Sequence, residues 1–256
     1  MSAKPTTSQA YNLFQATLLR FALLFLVALG VAVLGLCLGG VKVSFADLSE
    51  ALKLLFTQPS RLDEATGPVG MLLNLRLPRV LLAFVVGAAL SLSGAAFQGL
   101  LRNPLADPYV VGISSGAALG ASFAIVMGLK ATFAGLGVPV IAFCFALATM
   151  LGVYSLAHLA RGSFSESFLL VGVVTGTTLW ALVMLLLSLS GRYLQEVIFW
   201  LMGTLSTADF QLLGMATGVT LIGGAGLLYL ARDLNSLAFG EDRKSTRLNS
   251  SHRIRS

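Results

Sequence analysis

Two short polar stretches hold the residues of this chain best suited to chemistry. Leu75-Arg76-Leu77-Pro78-Arg79 sets two guanidinium groups three residues apart. A guanidinium is a planar fork that grips a carboxylate through two hydrogen bonds, so the pair reads as a docking point for an acidic partner. It reads equally as an interfacial anchor, with both arginines at lipid headgroups and Pro78 in the first turn of a helix. The second stretch is Leu101-Arg102-Asn103-Pro104-Leu105-Ala106-Asp107-Pro108. Asn-Pro and Asp-Pro favour turns, and each proline disfavours helix in the residue before it. This is a rigid connector, or a stiff pore end whose rigidity matters for gating. His158 stands three residues before Arg161 at a helix end and reads as an interfacial residue rather than a proton relay. Cys37 and Cys144 lie within apolar runs and read as small buried hydrophobes. The sequence has no P-loop motif, no H-E-x-x-H and no Ser/His/Asp set. No catalytic residue, metal ligand or cofactor is therefore assigned, and the chain reads as a non-enzyme.

The elements that must position these stretches are membrane helices. Of the 256 residues, 56% are hydrophobic and 11% charged, and the mean hydropathy is +0.87. Soluble domains carry about 25% charged residues, so a soluble enzyme and a disordered chain are both excluded. The net charge of +6 suggests a nucleic-acid binder only superficially. Five basic residues fall in 243–256, and without them 12 basic face 11 acidic residues. Six runs are free of charge: Phe21–Val41, Val80–Leu101, Pro108–Leu129, Ala131–Ala160, Ser167–Gly191 and Phe210–Ala231. Each reaches the roughly 20 residues that cross a hydrocarbon core. The expected fold class is an all-α integral membrane protein, a polytopic bundle of six transmembrane helices in contact with lipid.

Val197–Ala208 is too short to span and reads as interfacial or re-entrant. Within Lys42–Arg79, Phe45, Leu48, Ala51, Leu52, Leu55 and Phe56 recur at helical spacing, and Ser44 with Asp47 has capping-box spacing. A short amphipathic helix on the membrane surface is expected, ended by Gly67-Pro68. Gly112, Gly116 and Gly120 make two small-residue steps expected on one helix face, and Gly35/Gly39 and Gly172/Gly176 repeat the spacing. Such steps let backbones approach where lipid supplies no hydrophobic drive. Lys/Arg asymmetry between loops leaves the orientation undecided.

LRLPR, SGAAFQGLLRNPLADP and GISSGAALG follow in order through Leu75–Gly120. Together they closely resemble the permease subunits of bacterial importers for iron–siderophore complexes, haem and vitamin B12, the FecCD-type family. Phe199–Leu205 resembles a further block, and Leu234–Glu241 resembles the start of that family's cytoplasmic coupling loop. The similarity covers roughly residues 15–242. It implies a permease domain over 1–242 and alternating access driven by a separate cytoplasmic ATP-binding subunit. It also implies a homodimer or heterodimer of permeases in the inner membrane, with a periplasmic or lipoprotein substrate-binding protein docking outside. By this resemblance Arg76 and Arg79 contact the binding protein, and Asn103, Pro104 and Leu105 form a cytoplasmic gate with a second segment around Ser165. Thr175, Thr177 and Thr178 line the path, and Leu234, Gly240 and Glu241 couple to the ATPase.

The family has ten spans where six are read here. The basic segment 243–256 lacks apolar periodicity and is expected to be non-native, leaving the permease domain incomplete at its C-terminus. The alternatives are an ion-coupled secondary transporter, against which the charge-free span centres argue, and a non-functional membrane fragment. The motifs do not specify which chelate is carried.

Overall fold

The computed structural model describes residues 7–41, 43–57, 65–160, 163–206 and 208–239. Ten helices are described: α1 (Thr7–Cys37), α2 (Phe45–Thr57), α3 (Gly67–Met71), α4 (Leu77–Leu101), α5 (Ile113–Val126), α6 (Gly137–Leu159), α7 (Phe164–Leu189), α8 (Leu194–Leu201), α9 (Phe210–Tyr229) and α10 (Ala231–Phe239). A single π-turn, Leu72–Arg76, joins α3 to α4. The protein is an all-α, multi-pass membrane protein. By packing, the described residues divide into two units, one within Met1–Phe84 and Ala208–Leu213, the other within Val85–Thr207 and Gly214–Ser256.

Among the described residues, five helical stretches are long and apolar enough to cross a membrane: Gln15–Cys37, Gly67–Leu101, Gly137–Leu159, Phe164–Leu189 and Phe210–Tyr229. The sixth expected span, Pro108–Leu129, holds a helix of only 14 residues, α5. Its first residues are consumed by turns. Gly112 takes a left-handed φ of 82° and starts the helix as its N-cap. At about 1.5 Å per residue α5 falls short of a hydrocarbon core of ~30 Å. Non-helical backbone is tolerated at membrane depth when protein surrounds it. Here α5 is the most enclosed helix of the second unit, with Ala121, Ala124 and Ile125 buried.

In the first unit, α2 has the expected amphipathic form. Its N-terminus is closed by a reciprocal box: Asp47 N donates to Ser44 Oγ (3.2 Å), and Ser44 N donates to Asp47 Oδ2 (2.7 Å). Ser44 Oγ also donates to Asp47 Oδ2 (2.8 Å). Ala51 from α2 packs with Val69, Leu72 and Leu73, which fixes α2 against α3 and the π-turn.

In the second unit, α5 packs along α6 and α7 through its small residues. A Cβ on Gly120 would lie 2.7 Å from Phe145 Cβ, and one on Gly116 would lie 2.8 Å from Thr149 Cβ. The third glycine of the series departs from the expected common face. Gly112 lies outside the helix and meets α7 instead, where its Cβ would be 2.9 Å from Gly176 Cα and from Gly172 O. The left-handed turn redirects it. Lys130, in the 3-10 turn Leu129–Ala131, pairs with Glu196 of α8. Both are half-exposed, so the pair sets register more than it adds stability.

Two outcomes follow. Gly120→Val places two methyl groups against Phe145 and should cost about 1–3 kcal/mol, read as a lowered thermal midpoint in detergent; Gly87→Val, in open space, is the control. Hydrogen bonds from Ser44 hold the Asp47 carboxyl below its ordinary value of 3.8, the backbone N–H being the larger cause. The ionised cap therefore supports α2 fully above about pH 4 and loses that support as pH falls through the lowered folded value. Hydrogen exchange over Phe45–Ser49 should rise in that acid range in the native protein, and Asp47→Asn should flatten the dependence.

Candidate functional site

The connector after α4 is built by hydrogen bonds that replace the helix ladder. Arg102 takes a left-handed φ of 51°, and Asn103 N donates back to Gln98 O (3.2 Å). A left-handed residue followed by a six-to-one bond is a standard helix stop, here without the usual glycine. Asn103 Oδ1 accepts from Leu105 N (2.9 Å), and Asp107 Oδ1 accepts from Tyr109 N (2.8 Å). Each side chain imitates a backbone turn around its following proline. Ala106 and Val111 turn inward and are buried, whereas Leu105 is 85% exposed at the tip.

The buried side of the connector rests on an apolar cluster of Leu101, Ala106, Val111, Val153, Ala157 and Phe168, against which Phe164 also packs. Aromatic rings extend it. Phe97 stacks on Phe168 (6.3 Å between centroids), Phe168 on Phe164 (5.5 Å), and Phe164 meets Tyr154 and His158 edge-on (5.9 Å each). The first turn of α7, which carries half-buried Ser165, and the 102–111 connector thus share one support. That support escaped the sequence reading, although Tyr154/His158 and Phe164/Phe168 have the i, i+4 spacing that stacks rings along a helix.

The path candidates lie on α7. Thr177 Oγ1 donates to Val174 O (2.9 Å) and Thr178 Oγ1 to Val174 O (2.8 Å), so both hydroxyls are bonded within their own helix. Thr177 and Thr178 are exposed and Thr175 is half-buried. Leu234 is half-buried on α10. Gly240, Glu241 and the segment 243–256 lie outside the described residues. Among the described residues no three His, Cys, Asp or Glu side chains gather as a metal site.

The two arginines of LRLPR do not share a surface. Arg79 is exposed, whereas Arg76 is buried at 8% exposure. Arg76 Nη1 donates to Leu36 O (2.7 Å) and Cys37 O (3.1 Å), and Nη2 donates to Val41 O (2.5 Å). Its donors face the end of α1. The two arginines of the expected docking pair thus differ in exposure: Arg76 is held by carbonyls at and beyond the end of α1, and Arg79 is exposed.

The FecCD transport family matches residues 23–247, a range that includes the arginine pair, the connector and α7 and enters the basic segment. The chain belongs to this family. It is 43% identical over 175 residues to the ABC transporter permease protein YvrB of Bacillus subtilis, covering 68% of this chain and 50% of that protein. It is 37% identical over 208 residues to the cobalamin import system permease protein BtuC of Halobacterium salinarum, covering 81% and 54%. Against the hemin transport system permease protein HmuU of Yersinia pestis the identity is 40% over 173 residues, covering 66% and 52%. The chain thus spans about half the length of these curated relatives. A solved structure described as a metal-chelate type ABC transporter in an inward-facing conformation superposes with a TM-score of 0.69 at 28% identity, covering 88% of this chain and 66% of that one.

Asn103→Ala should remove the side-chain acceptor for Leu105 N, at ~1 kcal/mol or about a fivefold rise in local opening. Amide exchange at Leu105 and Ala106 reads this directly, and Asn103→Asp, which keeps the acceptor, should stay near the parent.

Proposed function

We propose that this chain is the transmembrane permease subunit of an ATP-binding-cassette importer that carries an iron–siderophore, or a haem- or cobalamin-type chelate, into the cytoplasm. The observation that carries the reading is the family match over 23–247, together with relatives named for cobalamin and hemin transport. Span chemistry supports it. The central parts of α6, α7 and α9 hold no Asp, Glu, Lys, Arg or His. A carrier driven by protons or sodium needs such groups, or broken helices, to bind its coupling ion. An importer driven from outside the membrane does not.

In this reading two permeases pair around a central path in the inner membrane, with α1 entering from the cytoplasm. A substrate-binding protein docks on the outer face at Arg79. The turn at Asn103, Pro104 and Leu105 closes the cytoplasmic end together with the segment around Ser165. Their common aromatic support lets the two segments move together. Thr175, Thr177 and Thr178 line the path. Cytoplasmic ATP-binding subunits engage the region of Leu234, Gly240 and Glu241 and convert ATP turnover into alternating access. The permease itself forms no covalent bond to its cargo.

The test is uptake by the purified complete transporter in proteoliposomes, with ferric siderophore, haem and cobalamin offered in turn. Uptake of one of these should require both ATP and the binding protein, and imposed proton or sodium gradients should not replace ATP. Accumulation driven by an ion gradient in the absence of ATP would overturn the proposal.

A further inference from the structure

One line of α7 faces the connector that follows α4. Phe164, Phe168, Gly172 and Gly176 succeed one another at intervals of four, the spacing of a helix ridge. Along this line the side chains fall from two phenyl rings to none. At the ring end, Phe168 packs in the cluster that holds Leu101 and Ala106, with Phe164 and Phe97 against it. At the glycine end, backbone lies on backbone. A Cβ on Gly172 would sit 2.8 Å from Val111 Cα, and one on Gly176 would sit 3.1 Å from Gly112 Cα. The approach is reciprocal, since a Cβ on Gly112 would sit 2.9 Å from Gly176 N. Glycine is a poor helix former, so two of them inside α7 need a packing reason. The connector supplies it: Gly172 is buried, and Val111 is 0% exposed.

The end of the connector is fixed at the same point by its own bonds. Gly112, left-handed at φ 82°, donates from N to Tyr109 O (3.3 Å), and its carbonyl accepts from Gly116 N (3.0 Å) in the first turn of α5. The rings therefore prop one side of the connector away from the α7 axis, and the glycines draw Val111 and Gly112 in against it. Leu105 stands at the tip between Asn103 and Ala106, 85% exposed. A contact between two backbones has no rotamer to absorb a displacement. An added methyl group must move the whole turn.

We infer that Gly172 and Gly176 are positioning residues for the connector: with Phe164 and Phe168 they form a tapered seat on α7, and the 102–111 turn moves with that helix rather than independently of it. That this turn is a gate rests on the function proposed above; the seat itself does not.

The experiment uses the complete transporter with its native cysteines replaced by serine and Leu105→Cys as the reporter in the permease chain. Two quantities are measured. Amide exchange over Leu105–Gly112 reads the seat. The rate of Cys alkylation at position 105 by N-ethylmaleimide, without nucleotide and with ADP and vanadate trapped, reads the gate. In the parent that rate should differ about fivefold between the two states. Gly172→Ala should raise exchange about fivefold or more and shrink the difference between states to less than about twofold. Gly176→Ala, whose overlap is milder, should do the same more weakly, and it decides the matter if Gly172→Ala does not assemble. Gly120→Ala is the stability control, because its Cβ would press on Phe145, away from the connector, at 2.7 Å. It should lower the thermal midpoint and leave both readouts at parent values. Exchange that stays at the parent level in both α7 variants would overturn the inference, and so would an equal rise in Gly120→Ala. Exchange that rises while alkylation keeps the parent's dependence on nucleotide would overturn it too, since the turn then moves without its seat. If exchange rises in the α7 variants alone but the parent alkylates at one rate in both states, the seat is upheld and the gate reading fails.

Discussion

A helix that starts or stops in or beside an apolar layer leaves its first N–H groups or its last carbonyls without partners, and lipid offers none. Most local features of this protein answer that constraint. At the end of α1 a buried arginine from forty residues later in the chain supplies three donors. At the end of α4 the backbone turns left-handed at Arg102 so that Asn103 can donate back to Gln98, and two side-chain acceptors then carry the chain through Pro104 and Pro108. At the start of α2, outside the apolar spans, Ser44 and Asp47 exchange bonds with each other. The solutions differ because the surroundings differ. A helix end at the aqueous surface can use short polar side chains in equilibrium with water. An enclosed end needs a donor set that arrives already aimed.

The same constraint explains why the apolar run whose helix is too short to span, Pro108–Leu129, forms the centre of the second unit. α5 is too short to span alone, and the turns that precede it expose backbone polar groups. Packing it among α6, α7 and α8 encloses α5, and Val111 and Gly112, the last residues of those turns, are buried with it. Close approach then demands small residues, which α5 supplies as Gly116, Ala118, Gly120, Ala121 and Ala124. Packing and hydrogen bonding are thus one requirement here. The turns shorten the helix, the short helix must be enclosed, and enclosure selects glycine and alanine.

How much of this was legible in sequence follows from how local each cause is. The Ser44–Asp47 box, the Asn103 and Asp107 turns and the amphipathic form of α2 depend on residues within four positions of one another, and their patterns state them directly. The glycine steps were legible as packing sites but not in their assignment to partners. Residue counting places Gly112 on the face of Gly116, and only the φ of 82° at Gly112 moves it to α7. The burial of Arg76 was not legible at all. An arginine beside a proline at a membrane edge looks like an anchor or a docking group, and nothing within LRLPR indicates that Leu36, Cys37 and Val41 need its donors. Gly39 bears the only trace, and that trace acquires meaning only when the two segments are seen together.

For the transport reading, the α7 threonines carry the last step. A wall that must pass a bulky chelate should offer few strong hydrogen bonds, since each one made in passage must be broken again and deepens the well the cargo has to leave. Thr177 and Thr178 present hydroxyls whose protons already go to carbonyls of their own helix. What remains to a passing ligand is a weak acceptor and a methyl group. Serine at those sites would be more mobile about χ1 and freer to turn its donor outward, whereas β-branched threonine is stiff. A surface of this kind selects little and retains little. Under the proposed function, such a wall would leave recognition to a binding protein and direction to an ATP-driven partner.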